Sequence, residues 1–276
     1  MLFVSDLDGT LLNSRGILSP STRQVLADLL NRGLPFTIAT ARSVFSVSQA
    51  MDGVPLRLPV VELGGAFVSE PSGRHLHTQA IGDALKHGIY LQLQAAGYAP
   101  FISTFDGRRD NLYHARIENE GQRWYYEDRA AHADPRLRPA RPLLDVLEEQ
   151  VICFTVIDRE EGLRALQQKL SELYGPWLRM NLMRHLYCPG YSWFTIYDAK
   201  ATKAHGVLRL MQMLDIRAEE LTVFGDDIND IDMFAIANRA VAVGNALPQV
   251  KEHAHEVIGT NDEDAVARYL ENVYAL

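Results

Sequence analysis

Two aspartates one residue apart, Asp6 and Asp8, open the chain in the stretch MLFVSDLDGTLLN. A second acidic burst, GDDIND at residues 225–230, holds Asp226 and Asp230. Between them stand Thr40, after the apolar run PFTI, and Lys203, at the start of a helix-like segment. Carboxylates are hard oxygen ligands, and Asp6, Asp8 and Asp226 suit Mg²⁺, which keeps several of its waters. Such an ion would offset the repulsion that otherwise protonates one carboxylate. Asp6 could then stay ionised and attack a phosphoryl group. Asp8 could protonate the leaving oxygen and afterwards deprotonate water. Thr40, Lys203 and the backbone N–H groups around Leu7 and Gly9 would hold the non-bridging oxygens. Each residue alone has a plainer reading, as a turn former, a helix cap or a solvated side chain. Their convergence on one rim of one sheet favours chemistry.

The elements that must bring them together follow from periodicity. Residues 2–6 read as a buried strand. Residues 19–33 read as a helix capped by Ser19 or Ser21, with Pro20 in its first turn and Gly33 at its end. Its apolar face is Val25, Leu26, Leu29 and Leu30. PFTIATARS gives strand and turn, SVFSVSQAM a helix, and LPVVELGGAFVS one more strand carrying a glycine pair. This β-α-β-α-β order predicts a mostly parallel sheet with helices on both faces, binding ligands outside the carboxyl ends of its strands.

The rhythm changes after about Ala80. Residues 81–187 predict an α+β insert with an antiparallel sheet, in which 133–145, with three prolines, is a loop. The α/β pattern is expected to resume with YSWFTIYD at 191–198. TKAHGVLRLMQML (202–214) then predicts a helix with Ala204, Val207, Leu208, Met211 and Leu214 on one face. A strand before Gly225, the short strand AVAVGNA and a terminal helix complete it. The expected fold is an α/β, Rossmann-like three-layer core made of residues 1–80 and 188–276, with residues 81–187 as an inserted α+β cap.

Composition bounds the partners. The chain has 276 residues and a net charge of −8, which argues against a nucleic-acid surface. The insert holds 14 Lys/Arg and 15 Asp/Glu, leaving 13 and 20 for the flanking segments, so the excess acid sits with the aspartate motifs. No apolar run approaches the ~20 residues that span a bilayer. The N-terminus lacks the basic, apolar pattern of a secretory signal. Cys153 and Cys188 have neither disulfide-framework nor zinc spacing. A cytoplasmic protein with no membrane or nucleic-acid partner is expected, and monomer and dimer both stay open.

DLDGT, ATAR, TK and GDDIND, in this order, resemble the haloacid dehalogenase (HAD) superfamily of aspartate-based phosphatases. The insertion between Thr40 and Lys203 resembles its Cof-like, type IIB capped branch, and the similarity extends to VGNALPQVKEHA and TNDEDAVARYLE. The resemblance implies Asp6 as nucleophile and Asp8 as general acid/base, with the Asp8 main-chain carbonyl on Mg²⁺. It implies Asp226 as a metal ligand, Asp230 as its support, Thr40 and Lys203 as phosphate binders, and Asn229 as a substrate or phosphate contact. Ala41 stands where the family usually has glycine. Gly64-Gly65-Ala66 stands where many relatives read Asn-Gly-Ala, which leaves any phosphate contact there to backbone. Asp264-Ala265-Val266 is expected to be structural. The implied activity is Mg²⁺-dependent hydrolysis of a small phosphomonoester, a sugar phosphate or related metabolite. A phosphotransferase or mutase on the same core, a phospho-signalling receiver and a non-catalytic binding protein are the alternatives.

The remaining candidates have structural readings beside functional ones. His253 and His255 lack a third ligand for zinc, and Cys188 reads as a packed cysteine at a turn. RWYYEDR (123–129) could stack on a substrate ring or form one apolar helix face. Arg42 could reach substrate or pair with a nearby acid. Arg108, Arg109 and Arg116 could meet an anionic substrate or lie in solvent.

Overall fold

In the computed structural model, which describes residues 1–140, 142–184 and 188–274, strand β1 (Leu2–Ser5) is wholly buried. It runs into a tight turn, Leu7–Leu11, closed by the Leu12 N–H on the Leu7 carbonyl at 2.8 Å. Helix α1 (Pro20–Asn31) starts where Ser19 accepts the Thr22 N–H, and Pro20 fills its first position, where no N–H is needed. Next come β2 (Phe36–Ile38), α2 (Val44–Ala50), β3 (Val60–Glu62), β4 (Phe67–Ser69) and β5 (His75–Thr78).

The second part of the chain holds α3 (Asp83–Ala95), β6 (Phe101–Phe105), β7 (Asp110–His114), α4 (Glu120–Ala131) and β8 (Leu137–Pro139). It continues with β9 (Gln150–Asp158), α5 (Glu160–Tyr174), β10 (Leu178–Arg184) and β11 (Ser192–Asp198). The last part comprises α6 (Lys203–Leu214), β12 (Leu221–Gly225), α7 (Ile231–Ile236) and β13 (Arg239–Ala242). Then α8 (Pro248–Glu252), β14 (Glu256–Val257) and α9 (Ala265–Tyr274) close the chain.

Two compact units result, Met1–Thr78 with Ala201–Leu276, and Gln79–Lys200. The first is built on an all-parallel sheet in the order β14-β13-β12-β1-β2. Its central strands β1 and β12 are buried along their whole length and mostly apolar, as expected of strands covered on both faces. LPVVELGGAFVS forms two strands and not the expected one: β3 and β4 pair antiparallel around a turn at Leu63–Gly65, and β5 joins them. A parallel bridge from Ala39 to Val61 attaches this small sheet beside β2.

The second unit is a six-stranded sheet, β10-β11-β9-β6-β7-β8, antiparallel except where β8 runs parallel to β7. Two expectations are corrected here. Ser192–Asp198, read as the return of the core, pairs with β9 and β10, so this unit extends to Lys200 and not 187. Its alternation sends Phe194 and Ile196 into the core beneath α3 and α5, a pattern that suits either kind of sheet. Residues 137–139, read as loop, form β8, whose terminal Pro139 sits at a sheet edge where a missing N–H costs little.

On α6, Leu208 is 38% exposed while Leu210 is buried. At 100° per residue the face that starts from Lys203 and Ala204 continues through Val207, Leu210 and Met211, and Leu208 falls on its rim. Among the described residues, no helix is long and apolar enough to cross a membrane.

Candidate active site

Parallel registration sets up the site. Ser5 lies level with Phe224 of β12 and Ile38 of β2, so Asp6, Asp226 and Thr40 leave the sheet at one rim. The Asp6 N–H donates to the Phe224 carbonyl at 2.9 Å, and the Ala39 N–H to the Ser5 carbonyl at 2.9 Å. Across this rim lies the first turn of α6, which carries Lys203, itself buried. Its Nζ is 2.6 Å from Asp6 Oδ1 and 2.7 Å from Asp230 Oδ1. The other Asp230 oxygen accepts the N–H groups of Asp226 (2.9 Å) and Asp227 (3.1 Å), which shapes the loop holding Asp226. Thr10 donates its hydroxyl to Asp226 Oδ1 at 2.6 Å.

Asp6, Asp226 and Asp230 each offer an oxygen within 4.8 Å of the others. Three carboxylates thus share one ammonium in a buried setting. Burial pushes the Asp6 carboxyl well above its usual value; Lys203 opposes this and Asp230 adds to it. Burial likewise pushes Asp226 up to about 6, against the pull of the Thr10 hydroxyl. For Lys203 burial alone would lower the pKa, but Asp230 and Asp6 outweigh it and raise it. An excess of hard oxygen donors beyond what the lysine neutralises is the donor set that Mg²⁺ fits.

Asp8 stands apart from this cluster. Its carboxylate is exposed, and Arg42 grips both oxygens, Nε at 2.8 Å and Nη2 at 2.6 Å. The two adjacent charges are answered separately here and not by the one shared partner expected: Asp6 turns inward to Lys203 and Asp8 outward to Arg42. A bidentate guanidinium fork fixes orientation as well as charge.

The loop after β2 is pinned from several sides. Thr40 donates its N–H to the Val61 carbonyl (2.9 Å) and accepts the Gly64 N–H (2.9 Å), while Leu63 donates to the Arg42 carbonyl (3.0 Å). The Thr40 hydroxyl accepts the Arg42 N–H at 3.1 Å, and Ala41 is exposed. Beneath it lies Glu62, fully buried, whose carboxylate accepts the Val44 N–H at the start of α2 and the Ser69 hydroxyl. His75 completes this group, with Nδ1 2.6 Å from Ser69 Oγ and its ring stacked on Phe67.

Glycines permit the close approaches. Gly9 has φ +77, and a Cβ there would lie 2.3 Å from Asp226 Oδ2. Gly65 has φ +99, and a Cβ would lie 1.9 Å from the Thr202 carbonyl oxygen. The second glycine of the GGAF pair thus sets where α6 begins, and so where Lys203 stands. Gly64 has φ 65 and ψ 27, a left-handed conformation that asparagine also tolerates, so the change from Asn-Gly-Ala keeps the backbone and loses the amide.

Several contributors escaped the sequence reading. Asn245 donates to the Gly9 carbonyl (2.7 Å) and accepts the Asn261 N–H (2.9 Å), while Asn261 donates to the Leu12 carbonyl (2.9 Å). These two straps tie the carboxy-terminal segment to the DLDGT turn. Thr10 and the asparagines lie inside motifs that were visible, but as letters without partners. Glu62 carried no pattern at all. Asp264 is structural, as expected, accepting the hydroxyls of Ser19 and Thr22 at the start of α1. Asn229 is exposed on the turn Ile228–Asp230. His255 accepts the Ala240 N–H, Arg116 pairs with Glu118, and Tyr125 of RWYYEDR packs on Phe101 and Trp193.

A parallel α/β core interrupted by an α+β insert, with an acid-rich rim of this composition, defines a capped hydrolase. A family profile of haloacid dehalogenase-like hydrolases matches residues 3–270, and the chain belongs to that family. It is 27% identical over 281 residues to the 5-amino-6-(5-phospho-D-ribitylamino)uracil phosphatase YitU of Bacillus subtilis, covering 100% of this chain and 98% of that protein. The crystal structure of TM0651 from Thermotoga maritima superposes with a TM-score of 0.81 at 26% identity, covering 98% of this chain and 96% of the other. The subclass IIB sugar phosphatase BT4131 shares the fold, with a TM-score of 0.72 at 20% identity over 100% of this chain and 99% of its own. The chain is an enzyme of the HAD phosphatase type, Cof-like and capped.

Proposed function

We propose that the protein removes phosphate from a small phosphomonoester, a sugar phosphate or related cytoplasmic metabolite, through a phosphorylated Asp6. The observation that carries this reading is Lys203 Nζ seated between Asp6 and Asp230 beside Asp226, an acidic cluster one cation short of balance. Asp6, Asp226 and the Asp8 carbonyl would hold Mg²⁺, with Asp230 behind them, and the ion would supply charge to the transferring phosphoryl group.

The residues divide the work. An Asp6 oxygen attacks phosphorus, forming an O–P bond as the bond to the leaving oxygen breaks, and Asp8 gives that oxygen its proton. Asp8 then takes a proton from water, whose oxygen attacks phosphorus and breaks the Asp6–phosphorus bond, releasing inorganic phosphate. Lys203, Thr40 and the backbone at Leu7, Gly9 and Ala41 hold the non-bridging oxygens. Asn229 contacts the substrate. Arg42, which holds both Asp8 oxygens, would release one of them for Asp8 to carry the proton it delivers and would aim the group through the other. The insert selects the leaving group and excludes water. The ribityl phosphate named for the Bacillus relative supports a phosphate on a polyhydroxylated carbon chain.

Phosphate release from a panel of sugar, polyol and nucleoside phosphates, with and without Mg²⁺, tests the reading. Release is expected to need Mg²⁺ and to fall by about 10⁴-fold or more in Asp6→Asn, with the fold retained. Full turnover in Asp6→Asn would remove Asp6 as nucleophile. Isomer formed without phosphate release would make the enzyme a phosphotransferase.

A further inference from the structure

Strand β10 ends the six-stranded sheet, and its edge is unlike the others. The edge strands β14, β2, β8, β3 and β5 have two to four residues, and β8 finishes in Pro139. β10 runs seven residues in unbroken register with β11, contains no proline, and carries no charge between Arg179 and Arg184. Among the described residues, no strand pairs with its outer side. A long, regular, weakly charged edge is a template for another strand.

Its sequence is self-complementary. Two copies paired antiparallel about a two-fold axis at Asn181 set Met180 against Leu182 on one face and Arg179 against Met183 on the other. Arg184 then faces Leu178, so no like charges oppose. The helix on this strand agrees with that axis. Glu160, at the start of α5, reaches Arg184 at 3.5 Å, and Gly175, just past its end, lies beside Leu178. The strand midpoint, Asn181, therefore falls level with the middle of α5, near Gln168. A groove of about 490 Å³ between α5 and β10 has Arg164 and Glu172 on either side of that midpoint. The two-fold brings Arg164 of one copy to Glu172 of the other, twice. Within one chain Arg164 pairs with Glu160 and Glu172 accepts the Gln168 amide, but both are exposed, so each can exchange that partner for the other copy.

We propose that β10 and α5 form a homodimer interface, with the two β10 strands pairing antiparallel about Asn181. The occupant of the edge is a second copy of this chain.

Sedimentation velocity of the full chain over a concentration series tests this, with thermal unfolding as the check on each variant's fold. The wild-type chain should sediment as a dimer. Asn181→Lys sets two like charges face to face on the axis and should raise the dimer Kd by about ten-fold or more. Arg164→Glu should weaken the dimer as well, and adding Glu172→Arg should restore it, because each residue meets the other across the axis. Should Asn181→Lys fail to fold, the exposed α5 pair decides. A monomeric wild type overturns the proposal, as does a dimer indifferent to Asn181→Lys or a charge-swapped variant that does not recover.

Discussion

The two units bury charge in opposite ways. In the first, Asp6, Asp226 and Asp230 crowd around the single ammonium of Lys203. In the second, Asp134 and the Arg136 side chain form a two-point pair at 2.9 and 2.6 Å, with the Arg136 N–H also on the carboxylate and the Arg129 charge close by. In the same unit, Glu149 is answered by the Tyr113 and Thr104 hydroxyls and the Asn111 amide. Balanced groups stabilise an architecture and ask for nothing further. An imbalanced cluster raises carboxyl pKa values and stays folded only because the backbone around it is over-determined. The imbalance is the part that chemistry can use.

If backbone contacts hold the imbalance in place, breaking one should have the largest effect. Gly65→Ala would force a Cβ into the Thr202 carbonyl at a backbone conformation that L side chains rarely adopt. It should destabilise by about 4 kcal/mol or more and cut phosphate release in whatever protein folds. Urea unfolding with a parallel turnover assay reads both. A loss under about 1 kcal/mol would mean that the turn can move and that Lys203 is held otherwise.

The balanced pair makes the converse case. Asp134→Asn should cost about 3 kcal/mol by leaving Arg136 buried without its partner, while kcat stays within a few-fold. Burial alone would raise the Asp134 pKa, but the hydrogen bonds and charge of Arg136 outweigh it and lower it. A carboxylate lowered on folding contributes stability that is present above its unfolded value, about 4, and lost as pH falls through the folded one. Urea midpoints from pH 7 down to 3 should therefore fall less steeply in the variant. Equal slopes would remove Asp134 from the acid response.

Smaller again is Thr10→Val, which keeps the shape and removes the hydroxyl on Asp226. In the proposed role of Asp226 as a metal ligand, a partner that orients it should govern about 10- to 100-fold in affinity. Calorimetric Mg²⁺ titration should show a loss in that range with the thermal midpoint little changed. Unaltered affinity would make Thr10 a packing residue.

The same contrast governs what could be read without coordinates. Acidic motifs at strand ends were legible because their composition is rare and parallel sheets bring strand ends together. Their pairings were legible only in outline: Arg42 was readable as a partner for a nearby acid, as it proves to be, but a helix and a strand separate it from Asp8 and nothing in either segment singles out that acid or the two-point fork. Glu62 is one acid at the end of an apolar strand, indistinguishable by type from a solvated residue. Ser192–Asp198 joins the sheet of the second unit and not the core its pattern suggests, because alternating apolar residues look alike wherever one face is covered. Strand existence is local information, and strand partnership is not.

Helix α6 gives the smallest test. It was expected to bury Leu208, yet the face that positions Lys203 passes this residue by. Leu208→Gln should change stability by no more than about 0.5 kcal/mol, since a rim leucine already meets solvent and glutamine is a comparable helix former. Phosphate release should be unchanged. A loss above about 2 kcal/mol would show Leu208 covered in solution, by a partner or another copy. The apolar face of α6 would then be wider than the fold of one chain requires.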